Sequence, residues 1–148
     1  MSQFVVHKTI KIKAEPSIVW DALTDPEKTK KYFFNCKVIS DWKPGNSIIF
    51  KGTLFLIKKI ELAGKIMKIN PGKLLKYTLR NGHSDSFSIV TDELTYENGT
   101  TTLSITDDIG SGKQAEKRYK QSEKAWDKVL AGLKKLVEEG TPKKLSLV

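Results

Sequence analysis

The first residues of the chain form a strand pattern, and two helix starts follow directly behind it. Apolar and polar residues alternate from Phe4 to Ile12 with a period of two, which predicts a long first strand. Pro16 then fits the first turn of a helix, where its missing N–H costs nothing. Asp25-Pro26-Glu27 repeats this arrangement, with a capping carboxylate before the proline and an acid after it. The fold must therefore place two short helices between its first and second strands.

The middle of the chain, from Cys36 to Asp108, consists of strand patterns separated by turn residues. Proline, glycine and asparagine mark turns at residues 43–46, 70–72, 81–82 and 97–99. Strands are predicted between these turns, over residues 48–57, 59–69, 74–80, 86–96 and 100–107. Because the connections are short, neighbouring strands are expected to pair in an antiparallel meander. The alternation changes parity within residues 86–96, which predicts a β-bulge near residues 89–91.

The last element is a long amphipathic helix that begins after Ser111-Gly112 and ends at Gly140. Its inner face is formed by residues at helical spacing, namely Tyr119, Ser122, Trp126, Val129, Leu130, Leu133, Leu136 and Val137. A helix of roughly 25 residues is about 38 Å long, enough to cross a whole sheet. This element order predicts an α+β fold in which a bent sheet wraps around the terminal helix. We expect one domain over residues 1–140 and a flexible tail over residues 141–148.

Composition limits the classes of function. A chain of 148 residues fits one domain, and its only cysteine, Cys36, excludes an intrachain disulfide and favours a reducing compartment. The net charge is +9, but only Arg80 and Arg118 are arginines and the lysines are spread along the chain. We therefore expect a lysine-rich surface and no specific binding of nucleic acid. The densest apolar run, residues 54–57, is far too short to span a membrane, which favours a cytoplasmic protein.

The sequence offers no convergent set of metal ligands or catalytic groups. His7 and His83 are isolated from each other and from Cys36, so we expect neither a metal site nor a cofactor. The polar residues 84–86 beside His83 fit a hydrogen-bonded turn better than a catalytic triad. The glycines of residues 110–113 lack the spacing of a phosphate-binding loop. No catalytic residue is therefore assigned.

Two adjacent acids, Asp107 and Asp108, lie at the end of the last predicted strand. If a cavity partly buried them, one pKa would rise and that carboxyl could act as a general acid or base. The favoured interpretation is a solvated strand end, in which Asp108 helps to cap the turn before the long helix.

Several motifs, spread in order from about residue 10 to residue 139, carry a resemblance to a known family. They are Ala14-Glu15-Pro16, residues 19–26, Trp42-Lys43-Pro44-Gly45, Gly64-Lys65-Ile66, Asn70-Pro71-Gly72, residues 75–78 and 99–103, and Trp126 with Leu130 and residues 133–136. With these motifs the chain resembles the START or SRPBCC superfamily, which includes lipid-transfer, pollen-allergen-like and polyketide-cyclase domains. Within that superfamily it is similar to small proteins that resemble the C-terminal domain of the activator of heat-shock protein 90 ATPase.

The resemblance implies a helix-grip fold, in which a curved antiparallel sheet of about six to seven strands surrounds the long C-terminal helix. Members of the superfamily bind hydrophobic ligands, cyclise aromatic polyketides, act in stress responses or form part of a chaperone activator. We therefore expect non-catalytic binding of a small hydrophobic molecule in an internal cavity, in a stress-related role. The alternatives are a polyketide cyclase or aromatase-like enzyme, and a module that interacts weakly with a chaperone. The protein is expected to be a monomer or a dimer.

The residues expected to contact a ligand are aromatic. In a helix-grip fold, the second helix, the inner face of the sheet and the long helix face the same space. The candidate ligand-binding residues on these elements are Tyr32, Phe33, Phe50, Tyr77, Phe87, Tyr119 and Trp126. The hydroxyls of Tyr77 and Tyr119 would be polar groups in a mostly apolar pocket. The alternative is that these rings fill the core and leave no room for a ligand.

Overall fold

A computed structural model describes residues 4–54, 57–81 and 86–140 of the chain. The elements within these ranges are β1 (Phe4–Ile12), α1 (Pro16–Thr24), α2 (Pro26–Tyr32), β2 (Cys36–Ser40), β3 (Ser47–Leu54), β4 (Lys58–Asn70), β5 (Leu74–Asn81), β6 (Phe87–Glu97), β7 (Thr100–Gly110) and α3 (Ala115–Gly140). His83, most of the polar turn at residues 84–86 and the predicted tail over residues 141–148 lie outside the described residues.

The seven strands of the described ranges form one antiparallel sheet in the order β1-β7-β6-β5-β4-β3-β2. Strands β2 to β7 pair with their neighbours in sequence, as expected for a meander with short turns. Strand β1 pairs with β7, with Val6 opposite Asp107 and Ile12 opposite Thr101, so the first strand lies beside the last. The predicted α+β helix-grip architecture is confirmed.

The two short helices begin where the prolines predict. Pro16 and Pro26 are the first residues of α1 and α2, and the Asp25 carboxylate caps α2 by accepting a hydrogen bond from a backbone N–H at 2.9 Å. Thr29 joins α2 to the sheet, because its buried hydroxyl accepts a 3.0 Å hydrogen bond from the N–H of Val38 in β2. These contacts hold α2 over one end of the sheet.

Helix α3 lies across the concave face of the sheet. Its apolar side joins one core with buried strand residues such as Val90, Leu103 and Ile105. The α3 residues that enter this core are Ala115, Trp126, Val129, Leu130, Leu133 and Val137. In the described ranges, no helix is both long and apolar enough to cross a membrane.

The β-bulge predicted near residues 89–91 is wrong. Strand β6 pairs with β7 in unbroken register from Ile89 opposite Asp108 to Glu97 opposite Thr100. The parity change arises because apolar side chains lie on both faces of β6, and Phe87 on the outer face is 54% exposed. The register shifts that do occur lie in β4, between Ile66 and Lys68, and at the start of β1.

Gly64 in β4 allows a close approach to β5, which generates a prediction about stability. A Cβ atom at Gly64 would lie 1.7 Å from the carbonyl oxygen of Thr78. We expect Gly64→Ala to lower the free energy of unfolding by about 1–3 kcal/mol, since the two strands must separate to admit the methyl group. Urea denaturation followed by circular dichroism measures this loss.

Gly140→Ala is the control for this experiment, because a Cβ atom at Gly140 has no heavy atom within 4 Å. We expect it to change the free energy of unfolding by less than about 1 kcal/mol. Equal stability of wild type and Gly64→Ala would contradict the close approach of β4 to β5.

Candidate functional site

A small internal cavity lies between α2, α3 and the concave face of the sheet. Its walls include Tyr32 of α2, Phe50 of β3, Tyr77 of β5 and Trp126 of α3. The cavity volume is about 20 Å³. On this scale about 10–15 Å³ is needed for a single water molecule, so the cavity has room for one water and for no organic ligand.

Stacked aromatic rings account for the small volume. The rings of Phe33 and Phe50 stack with a centroid distance of 4.6 Å, and Trp126 meets Phe33 edge-on at 6.1 Å. Tyr77 lies 6.0 Å from Phe50 on the other side. Five of the seven candidate residues, namely Tyr32, Phe33, Phe50, Tyr77 and Trp126, therefore lie together around the cavity. Their rings largely fill the core, as the alternative interpretation of the aromatic set expected.

The other two candidates lie elsewhere, which corrects the expectation that all seven face one space. Phe87 is on the outer face of β6 and is 54% exposed. Tyr119 is near the start of α3, where its ring lies 5.6 Å from the ring of Phe4 at the sheet edge. The Tyr119 hydroxyl donates a 3.4 Å hydrogen bond to the Glu123 carboxylate. Helical spacing places Tyr119 on the inner side of α3, but β1 covers that side at this end of the helix.

A larger space lies beside the aromatic cluster, between the first half of α3 and strands β4 to β7. It is a groove of about 690 Å³. Its apolar walls are formed by Leu62, Leu79, Ile109 and Ala125, and its polar groups belong to Ser86, Ser88, Asp107, Arg118, Gln121 and Ser122. Trp126 and Asp107 form the boundary between the two spaces, since Trp126 lines the cavity and Asp107 lines the groove.

Two buried acids, Asp92 and Asp107, lie at this boundary. Each is only 4% exposed. Asp107 faces Val90 on the neighbouring strand, and Asp92 is two residues beyond Val90, so both carboxyls are on the concave face of adjacent strands. Asp107 was expected at a solvated strand end, but β7 continues to Gly110 and turns this residue inward. Its buried partner in the acid pair is therefore Asp92 and not Asp108.

The hydrogen bonds of the acid pair are incomplete. The Oδ2 atom of Asp107 accepts hydrogen bonds from the Ser122 hydroxyl at 2.5 Å and from the Trp126 indole N–H at 2.9 Å. The Oδ1 atoms of Asp92 and Asp107 have no hydrogen-bond partner among the described residues. A buried polar atom without a partner is uncommon, because it loses its bonds to water and gains none in return.

The environment favours the protonated forms of several groups around the pair. Burial, followed by the negative charge of Asp107, raises the pKa of Asp92 from its ordinary value of 3.8 to about 7. Burial also raises the pKa of the Tyr77 hydroxyl well above 10.0, with smaller contributions from both aspartates. Asp92 is therefore a carboxyl that can exchange a proton near neutral pH, and Tyr77 remains a hydrogen-bond donor.

Sequence reasoning missed Asp92, although the alternation of β6 contains a signal for it. Asp92 shares the parity of Val90 and Leu94, which are both buried. Phe87 and Ile89 have the opposite parity, and their apolar side chains obscured which face of the strand is inner. Within the described ranges, no three His, Cys, Asp or Glu side chains come together as a metal site would require.

The shifted pKa of Asp92 predicts a pH dependence of stability. The folded protein keeps the Asp92 proton up to about pH 7, whereas an unfolded chain loses it near pH 3.8. The stabilisation from this proton is complete below pH 3.8 and is lost as the pH rises through 7. The Asp92→Asn side chain stays neutral at every pH. We therefore expect the free energy of unfolding of this variant, relative to that of wild type, to increase by on the order of 2 kcal/mol as the pH rises from 5 to 8.

Urea denaturation at a series of pH values measures this difference. Asp108→Asn is the control, because Asp108 is not fully buried and its carboxylate accepts a 3.0 Å hydrogen bond from the Gly110 N–H. The control is expected to follow the wild-type profile. Parallel profiles for wild type and Asp92→Asn would show that the Asp92 pKa is not raised.

The fold is shared with several solved structures. ChR145 from Cytophaga hutchinsonii is 32% identical over 99% of both chains, with a TM-score of 0.75. Protein CV1439 from Chromobacterium violaceum is 25% identical, with 92% of this chain and 99% of that chain covered and a TM-score of 0.77. The Aha1 dimer from Colwellia psychrerythraea shares the fold at 20% identity, with 95% and 100% covered and a TM-score of 0.73. No curated protein matches the chain.

The sequence also matches a family profile over residues 13–138, which contain every described helix and strand except β1, which ends at Ile12, and the last two residues of α3. That family is described as "Activator of Hsp90 ATPase homolog 1-like protein". The resemblance seen in the sequence motifs is thereby confirmed. The chain belongs to the family of Activator of Hsp90 ATPase homolog 1-like proteins.

Proposed function

We propose that this protein binds a small hydrophobic molecule in the groove between α3 and strands β4 to β7. The observation that carries the proposal is the groove volume of about 690 Å³. Pockets that enclose small molecules typically have volumes of about 300–1,000 Å³. The internal cavity of about 20 Å³ is too small for this role, so the proposed site lies beside the predicted one.

The chemistry of the groove supports a mostly apolar ligand with a polar end. Leu62, Leu79 and Ile109 provide an apolar surface on three different strands. Ser122 and Asp107 provide polar groups at the deep side, where they are joined by a hydrogen bond. An apolar lining with a few fixed polar groups is typical of sites that bind and orient small molecules.

The aromatic cluster has a supporting role in this proposal. Trp126 donates its indole N–H to Asp107, so the packed rings behind Trp126 hold this carboxylate at the inner end of the groove. Phe33 and Phe50 would then position the binding site without contacting the ligand. A larger ligand could gain access to the cavity only if these rings moved apart.

An enzyme of the cyclase type is the second candidate, and the raised pKa of Asp92 favours it. A carboxyl with a pKa of about 7 beside Tyr77 is suited to general acid or base chemistry. Native mass spectrometry of freshly purified protein, compared with the denatured sample, distinguishes the two candidates. A binder releases the molecule it retained unchanged, whereas an enzyme converts it over time, and Asp92→Asn would then stop the conversion while retaining the molecule.

A weak chaperone interaction and a location in the cytoplasm are also proposed. The net charge of +9 favours contact with an acidic partner surface, and the family description names the Hsp90 ATPase. A pull-down at low salt tests this interaction, and recovery of no chaperone would count against it. The stress-related role and the oligomeric state, monomer or dimer, stay predictions.

Filling the groove is expected to abolish binding. Ala125 of α3 lines the groove, so Ala125→Phe places a ring in the space that the ligand needs. The probe is N-phenyl-1-naphthylamine, a neutral apolar dye whose fluorescence increases on binding. We expect half-saturation of this variant to need about tenfold more dye than half-saturation of wild type. Fluorescence titration measures the change.

Ala131→Phe is the matched control, because Ala131 is on α3 but exposed to solvent and away from the groove. Thermal denaturation of both variants verifies that they fold. Equal dye binding by Ala125→Phe and Ala131→Phe would contradict the groove as the site, and absence of binding by wild type would contradict the proposed function.

A further inference from the structure

We infer that the molecule bound in the groove carries a protonated amine, and that the buried acid pair Asp92 and Asp107 recognises it. This inference rests on the proposed function and specifies the chemical class of its ligand. The acid pair is the part of the molecule that packing alone does not explain. Asp107 lines the groove and Asp92 lines the cavity beside it, and each carboxyl has one oxygen without a hydrogen-bond partner among the described residues.

The first argument concerns hydrogen bonding. Asp92 and Asp107 are each 4% exposed, and each has an Oδ1 atom without a partner among the described residues. The Oδ2 atom of Asp107 already accepts two hydrogen bonds, from Ser122 and Trp126, which fix the plane of the carboxylate. The remaining Oδ1 is therefore an acceptor whose position is fixed and for which the described residues supply no donor.

The second argument concerns charge. The ion pairs of the described part of the chain involve other residues, and none joins Asp92 or Asp107 to a cationic side chain. Arg118 lines the same groove, but its guanidinium donates a 3.0 Å hydrogen bond to the carbonyl of Ile109. Among the described residues, no cationic side chain therefore compensates a negative charge on the pair. A buried charge without a partner is costly, so a bound cation gains more here than at an exposed carboxylate.

The third argument concerns access. Asp107 lines the groove directly, beside Ser122 and at the level of Ile109. Asp92 lies one diagonal step further in, where it lines the cavity of about 20 Å³. That cavity has room for one water molecule. The Asp107 Oδ1 atom is itself buried, so an ammonium group entering from the groove would have to displace the atoms that cover it. It would then contact Asp107 and reach Asp92 through one bridging water, while its apolar tail lies along the strand residues.

The charge of the ligand head group distinguishes an amine ligand from a neutral or an anionic one. A neutral alcohol can donate one hydrogen bond to Asp107, but it cannot compensate the charge. A carboxylate would be repelled by the acid pair and would favour Arg118 at the groove instead. Three ligands that share the same apolar tail but differ in head group are therefore expected to bind with different affinities.

The experiment compares n-octylamine, n-octanol and n-octanoate as competitors of N-phenyl-1-naphthylamine. The three probes have tails of equal length, and alkylamines are protonated at pH 7.5, as lysine is. Physiological ionic strength limits the influence of the distant lysines, since charges are screened over about 8 Å. We expect n-octylamine to displace the dye at about tenfold lower concentration than either other probe.

Variants test whether the acid pair causes this preference. Asp107→Asn is expected to reduce the affinity for n-octylamine to that for n-octanol, while Asp108→Asn, the control on the outer face, keeps the wild-type order. Asp92→Asn retains the hydrogen bonds of Asp107 and is expected to weaken amine binding by a smaller factor. It provides the same test if Asp107→Asn does not fold.

The outcomes separate this inference from the proposed function. If n-octanol or n-octanoate binds as tightly as n-octylamine, the groove binds ligands but the amine inference is wrong. The inference is also wrong if neither Asp107→Asn nor Asp92→Asn differs from Asp108→Asn. If none of the three probes displaces the dye and the dye itself does not bind, the proposed function fails, and the inference fails with it.

Discussion

The structure depends on the packing of α3 against the concave face of the sheet. Five α3 side chains, from Trp126 to Val137, are buried in the core with residues of β1, β6 and β7. Each large apolar side chain contributes about 1.5–3 kcal/mol when it is removed from water, so this contact is a large part of the stability. It also divides α3 into two halves: the second half closes the core, and the first half forms one wall of the groove.

The same packing gives Trp126 a second role at the boundary between core and groove. Its ring meets Phe33 in the core, and its indole N–H donates to Asp107 at the inner end of the groove. Two carboxyls therefore lie where the apolar core ends, and the protein retains them although burial disfavours the charged form of Asp92. Burial at a cost to stability is characteristic of groups kept for binding or chemistry, which is why the proposals centre on this pair.

Much of the fold could be predicted from the sequence, because it follows from local patterns. The prolines at residues 16 and 26, the turn residues between the strands and the helical spacing after Ala115 each act over a few residues. The candidate site was less predictable. Phe87 and Tyr119 have the same chemistry as the five clustered aromatic residues, and only the strand register and the position of β1 place them elsewhere.

The sequence by itself determined the element order, the α+β helix-grip architecture and the family, because hydrophobic periodicity and the order of motifs are properties of the sequence alone. Only the tertiary structure decided how much space remained inside. Ring stacking reduces the expected cavity to about 20 Å³ and leaves the groove beside it. The tertiary structure alone also brought Asp92 and Asp107 together. Fifteen positions separate them along the chain, and antiparallel pairing of β6 with β7 places both carboxyls on one face.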